Sequence, residues 1–213
     1  MSKALKAVCL LIFAALVLWG GGILLHLGSR EDDDGIFRVV LDPGHGGEDP
    51  GAVVGEVQEK DINLAIALQV RELLAEQEEI EVLMTREQDV YPTLTDRADF
   101  ANENQADLYI SIHVNSLEDE SFAGIMTFFH PEKRSSRAYA QAIQDALTTA
   151  SGGLDRGVRS EDYAVLRETD MPAVLVETGF MTCPEELALL LDKDYQQHLA
   201  QGIAQGILDC RHS

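Results

Sequence analysis

The chain has 213 residues, with 37 acidic against 16 basic side chains and a formal net charge of −21. That length suits one domain with a short appendage, and 46% apolar with 25% charged residues excludes a disordered chain. The charge excludes nucleic acid as a partner, because binding phosphate requires a basic face.

Lys3 and Lys6 precede residues 7–28, a run with no formal charge apart from a protonated His26. Arg30, Glu31, Asp32, Asp33 and Asp34 follow soon after. The run is long enough to cross a bilayer core. Its positive side is N-terminal, so the N-terminus stays inside and the main domain faces out. The competing reading is a cleaved signal peptide, with residues 7–18 as the apolar stretch and Gly20 and Gly22 near the cut. The apolar residues 23–27 favour an anchor. Either way the main domain is exported. The expected organisation is an anchor or signal segment over 1–28, a linker over 29–35 and the functional domain over 36–213.

In chain order, residues 36–41 predict a buried strand interrupted by Arg38. Ile62, Ala65, Ile66, Val70 and Leu73 fall on one face of a helix. Residues 80–84 predict a strand, and 96–102 a short helix. Residues 108–113 and 124–129 predict strands, and 139–147 a helix. Further strands are expected at 164–166 and 173–176, and closing helices at 185–191 and 195–208. This alternation implies a single α/β domain with a twisted, mostly parallel sheet and helices on both faces. Cys9, Cys183 and Cys210 form no CxxC spacing, which argues against a disulfide framework or a cysteine zinc site and leaves one Cys183–Cys210 bridge open.

Three predicted strands run into groups able to do chemistry. One leads to Asp42-Pro43-Gly44-His45, one to His113 and one to Glu177. Sites in open α/β sheets form at the carboxyl ends of strands, so these groups can converge on one edge. Two histidines and a carboxylate suit a catalytic zinc with one place left for water. Spacing does not choose the carboxylate among Glu48, Asp49, Glu56, Glu59 and Asp61. Gly44-His45-Gly46-Gly47 allows a tight turn, but neither GxGxxG nor Gly-Lys-Ser/Thr is present, so nucleotide binding is discounted.

Four motifs stand in order: Asp42-Pro43-Gly44-His45-Gly46-Gly47, Glu59-Lys60-Asp61, Ser111-Ile112-His113-Val114-Asn115-Ser116 and Val176-Glu177-Thr178-Gly179-Phe180-Met181. Together they resemble the zinc-dependent N-acetylmuramoyl-L-alanine amidases of the amidase 3 type, from about Ile36 to the last helix. The resemblance implies that His45, Glu59 and His113 are the zinc ligands and Glu177 the catalytic glutamate. It implies hydrolysis of the amide between N-acetylmuramic acid and L-alanine in peptidoglycan. The protein would then sit at the cell membrane facing outside, or be secreted to the wall. Asn115 and Arg167 lie in motif segments near the expected cleft, with no firm role. One departure is Cys183 ahead of Pro184, where the family often has Asn, and its expected effect is confined to a loop. Size and anchor also look like the spore-cortex amidases of the family, which act with a deacetylase. A housekeeping wall amidase is the equal alternative, and a protein activator belongs among the partners considered.

Each residue also has a plainer role. His113 alone could be a core histidine, and Glu59 alone a solvated carboxylate at a helix start. Glu177 follows four apolar residues, and a salt bridge to Arg86, Arg97 or Arg167 would explain it structurally. His130, His198 and His212 are expected on the surface. Arg156, Arg159 and Arg167 could meet stem-peptide carboxylates or serve structure. The rival functions are another zinc peptidase on a similar fold and a catalytically silent wall-binding protein.

Overall fold

The computed structural model describes residues 35–211. The anchor or signal segment expected over 1–28, the linker except Gly35, and His212 lie outside the described residues. Among the described residues no helix is long and apolar enough to cross a membrane.

The elements in order are β1 (Phe37–Pro43), β2 (Val53–Val54), β3 (Val57–Gln58), α1 (Glu59–Leu74), β4 (Ile80–Met84), α2 (Leu94–Glu103), β5 (Leu108–Asn115), β6 (Ile125–Phe129), α3 (Ser136–Ser151), β7 (Asp155–Ser160), α4 (Ala164–Glu168), β8 (Ala173–Phe180), α5 (Pro184–Leu190) and α6 (Lys193–Arg211). Six strands form one sheet in the order β4-β1-β5-β8-β6-β7. β4, β1, β5 and β8 are parallel neighbours, so the carboxyl ends of β1, β5 and β8 share an edge. β6 is antiparallel to β8 and parallel to β7. After β5 the chain has only residues 116–124 and no helix to carry it back across the sheet, so β6 runs in reverse.

Val39, Val40 and Leu41 are all fully buried because β1 is covered on both faces. Val39 and Leu41 join a core with α1, α3 and α6, and Val40 joins a second core with α2 and α4. Each fully buried Val, Leu or Ile contributes about 1.5–3 kcal/mol. Arg38 interrupts the apolar run because it stands opposite Glu81 of β4 and pairs with it at 2.8 Å. On α1 the buried apolar residues are Ile62, Ile66, Ala67, Val70 and Leu74, so Ala67 and Leu74 take the inner positions expected of Ala65 and Leu73. α3 and α6 pack closely at Gly202, where a Cβ would lie 2.5 Å from the Leu147 backbone.

Several expectations are corrected. Residues 164–166 lie in a helix, α4, not a strand, because a three-residue apolar run is too short to carry a period. β7 is a polar edge strand, and its exposed sequence gave no strand signal. The hairpin of β2 and β3 was missed because each strand has two residues. α2 starts earlier than expected, where Thr93 and Asp96 form a capping box. His130 is buried, with Nε2 3.1 Å from Asp162, whereas His198 is exposed as expected. Cys183 and Cys210 are free and belong to the two opposite cores.

Candidate metal centre and active site

β1 ends in a turn that a paired acid and two arginines hold rigid. Asp42 is buried and accepts hydrogen bonds from Thr85, Arg97, Tyr109 and Ser111, at 2.6–2.7 Å. Arg97 also donates to the carbonyls of Pro43 and His45, at 3.0 and 2.8 Å. Arg86 donates to the carbonyls of Pro43 and Gly44, at 2.8 and 2.9 Å. This scaffold keeps His45 at a φ of 61°, a left-handed conformation that costs a non-glycine residue about 1–3 kcal/mol. Gly44 has no alternative, since a Cβ there would lie 2.2 Å from the His113 ring.

His45 Nδ1 lies 2.7 Å from Asp49 Oδ2. A carboxylate only accepts, so Nδ1–H donates and Nε2 turns inward. Nε2 lies 3.1 Å from Glu59 Oε2. Glu59 opens α1 and is 4% exposed. Its Oε2 accepts from Ala52 N–H at 2.9 Å, and its Oε1 accepts from Val114 N–H at 3.2 Å. His113 Nδ1 lies 3.0 Å from Oε1, and the two imidazoles meet edge-on at 4.9 Å. One ligand atom from each of His45, Glu59 and His113 lies within 4.8 Å of the others.

The electrostatics match a cation site. Burial disfavours the charged His45, but Glu59 and Asp49 outweigh it and pull the imidazole up to about 9. Burial would raise the Glu59 carboxyl, yet the two histidines hold it well below the usual carboxylate range. Glu177 on β8 is the register partner of His113 on β5. Burial, aided by the charge of Glu59 and opposed by the histidines, pushes its carboxyl up to about 7. Its Oε2 is buried, and among the described residues no donor meets it.

The structural explanation of Glu177 therefore fails. Arg86 and Arg97 are spent on the His45 turn, and Arg167 pairs with Asp162 and Glu168 on the surface. His45, His113 and Glu177 line one cleft of about 220 Å³, with Asp49, Tyr91, Leu94, Arg97 and Tyr163 among its other walls. Of the two residues left without a role, Asn115 ends β5, where its side chain caps Ser116 N–H, and Arg167 is outside the cleft lining. Arg156 stacks on Phe122 and donates to the Ala123 carbonyl, a structural role, and Arg159 is exposed on β7. Cys183 precedes α5 without capping it and is not among the three gathered groups. Sequence reading missed Asp49 as the partner of His45 and Asn63 as the neighbour of Glu59. A spacing of four residues in each pair was the available signal.

The family model for N-acetylmuramoyl-L-alanine amidase matches residues 39–209. The chain is 37% identical over 174 residues to a sporulation-specific N-acetylmuramoyl-L-alanine amidase of Bacillus subtilis, covering 81% of this chain and 67% of that one. Among solved structures, an N-acetylmuramoyl-L-alanine amidase from Clostridium difficile 630 aligns with a TM-score of 0.82 and 38% identity, over 84% of this chain and 98% of that one. The CwlD amidase of Clostridioides difficile, solved in complex with the GerS lipoprotein, aligns with a TM-score of 0.77 and 33% identity, over 81% and 97%.

Proposed function

The chain belongs to the family of N-acetylmuramoyl-L-alanine amidases, and on that premise we propose that His45, Glu59 and His113 hold one zinc ion while Glu177 moves the protons of the reaction. The protein is a peptidoglycan hydrolase, an N-acetylmuramoyl-L-alanine amidase. The bond cleaved is the amide between the lactyl group of N-acetylmuramic acid and L-alanine. One observation carries the site assignment. Three ligand atoms gather within 4.8 Å, and the buried Glu177 Oε2 in the same cleft meets no donor among the described residues.

The donor set fits zinc, since two imidazoles and a carboxylate are a known catalytic set that leaves a place for water. Bound there, zinc would lower the pKa of water towards about 7 and polarise the scissile carbonyl. The protein's own groups do the rest. Asp49 fixes the His45 tautomer, leaving Nε2 free for the metal. Glu177, with a carboxyl near neutrality, takes a proton from the attacking water and returns it to the departing amine. Tyr163, Val165 and Leu175 wall the cleft and limit water around the reacting bond.

The test is a zinc determination on purified protein with a muropeptide digest. One zinc per chain and intact stem peptides bearing a free L-alanine amino end are expected. Trimmed stem peptides would instead make it a peptidase, and no product a silent wall-binding protein.

Further parts of this proposal concern context. Residues 36–213 form the catalytic domain, 29–35 a linker, and 1–28 an anchor or signal segment that sets the enzyme at the outer face of the membrane or releases it to the wall. Division of the chain into units at Gly35 and Ile36 supports that boundary. The name of the sporulation-specific relative supports a role in spore formation. The CwlD complex supports a protein partner for this chain too.

A further inference from the structure

Asn63 is fully buried on α1 and touches Glu59 and the turn that carries His45. Its Nδ2 lies 3.2 Å from Glu59 Oε1, one turn earlier on the helix. The same nitrogen lies 3.3 Å from the carbonyl oxygen of Gly44, the residue before His45. Both neighbours only accept, so the nitrogen must face them and Oδ1 must face away. Among the described residues no donor reaches Oδ1, although it is buried. A buried acceptor with no donor destabilises the fold, and a residue kept for packing alone would avoid it. Both amide hydrogens thus face Glu59 and the Gly44 carbonyl, while no protein donor among the described residues meets the oxygen.

Glu59 Oε1 has three polar neighbours: His113 Nδ1, Val114 N–H and Asn63 Nδ2. Where His113 ligates the cation through Nδ1, the nitrogen beside Oε1, that nitrogen directs its lone pair to the ion and no longer donates to Oε1. Val114 and Asn63 are then the donors left to aim the carboxylate. The bond to Gly44 ties the same helix position to the turn that carries His45. We propose that Asn63 is a positioning residue that presets Glu59 and the His45 turn for the metal, and that it does so against the chain's own stability. The proposal rests on the reading that His45, Glu59 and His113 hold the ion.

The experiment compares full-length wild type with Asn63→Ala, Asn63→Thr and Glu59→Ala. Zinc affinity is measured by competition with a chromophoric chelator, and the thermal midpoint is measured in EDTA. Asn63→Ala should weaken zinc binding by about 10–100-fold, the usual effect of losing an outer-shell partner. Its midpoint in EDTA should equal or exceed that of wild type. Asn63→Thr has nearly the volume of Asn and keeps one O–H donor, so it should recover part of the affinity and carries the test if the Ala variant does not fold. Zinc affinity within twofold of wild type in the folded Asn63 variants overturns the proposal. A midpoint in EDTA that falls in step with affinity also overturns it, since that is the behaviour of an ordinary core residue. Glu59→Ala separates the two readings. If it binds zinc as wild type does, the metal site itself is wrong, whereas its loss of zinc beside unaffected Asn63 variants defeats only the positioning role.

Discussion

Glu177 and His113 stand opposite each other on adjacent parallel strands and line the same cleft. Parallel neighbours in register point to the same face of a sheet, so backbone hydrogen bonds set the separation of these two groups. The carboxylate proposed to move protons is therefore fixed relative to His113 without depending on a loop.

Replacing Glu177 with Gln preserves size and removes the base. The expected result is a fall of about 10²–10⁴ in kcat on purified peptidoglycan. Zinc content should stay at the wild-type value, because Glu177 is not among the three gathered ligands. A variant with wild-type turnover would remove Glu177 from the mechanism.

Asp49 acts through His45 and can be separated from Glu177 by its metal dependence. Asp49→Ala frees Nδ1, so the imidazole loses its fixed tautomer. Zinc affinity should fall by about 10–100-fold. Raising free zinc in the assay should restore most of the activity. No such rescue is expected for Glu177→Gln. Activity that stays low at saturating zinc would show that Asp49 does something other than orient His45.

Chelation should lower stability as well as activity. A ligand held at about a thousand times its dissociation constant stabilises the fold by about 4 kcal/mol. For a domain of this size that is roughly 8–16 °C in thermal midpoint. Adding EDTA to wild type should produce a shift of this order, measured by calorimetry. Glu59→Ala and His45→Ala should show little shift, since their midpoints already lack the metal contribution.

Asp42 should govern the acid limb of stability. Burial alone would raise its carboxyl, but the Arg97 guanidinium and the hydroxyls of Thr85 and Tyr109 lower it below the ordinary value of 3.8. A carboxyl depressed in the folded state adds stability that is fully present above its unfolded pKa. That contribution is lost as pH falls below about 3.8 and through the still lower folded value. Asp42→Asn strands Arg97 in the interior and should cost about 3–5 kcal/mol at pH 7. In urea titrations across pH, the gap between wild type and variant should narrow below pH 4. A gap that stays constant down to pH 2 would deny Asp42 its charged role.

Much of the fold was legible because burial imposes a pattern on sequence. Strands covered on both faces, such as β1 and β8, are mostly apolar, and 173–176 and, apart from Arg38, 36–41 read that way. α1 and α3 each bury one stripe against the sheet, and α6 buries one against α1 and α3, so their helical spacing was visible. β7 and α4 were not legible. The first is a polar edge strand, and the second buries only Val165 and Leu166 in a single turn and a half, too few residues for any period. His130 looked like a surface residue, yet its bond to Asp162 satisfies one ring nitrogen where the side chain is buried.

The sequence by itself determined which groups could act. His45, His113 and Glu177 each follow an apolar run, and a strand must end where such a run ends. Spacing could not decide which acid completes the set among Glu48, Asp49, Glu56, Glu59 and Asp61, and only the resemblance carried by Glu59-Lys60-Asp61 pointed to Glu59. Tertiary structure brings Glu59 beside both imidazoles. The hairpin of β2 and β3 folds the chain back, so α1 begins with Glu59 between the two imidazoles, while Asp49 falls behind His45. That outcome depends on where two arginines hold the turn after β1 and where one buried amide meets the helix. Contacts between residues tens of positions apart leave no periodic trace in the sequence.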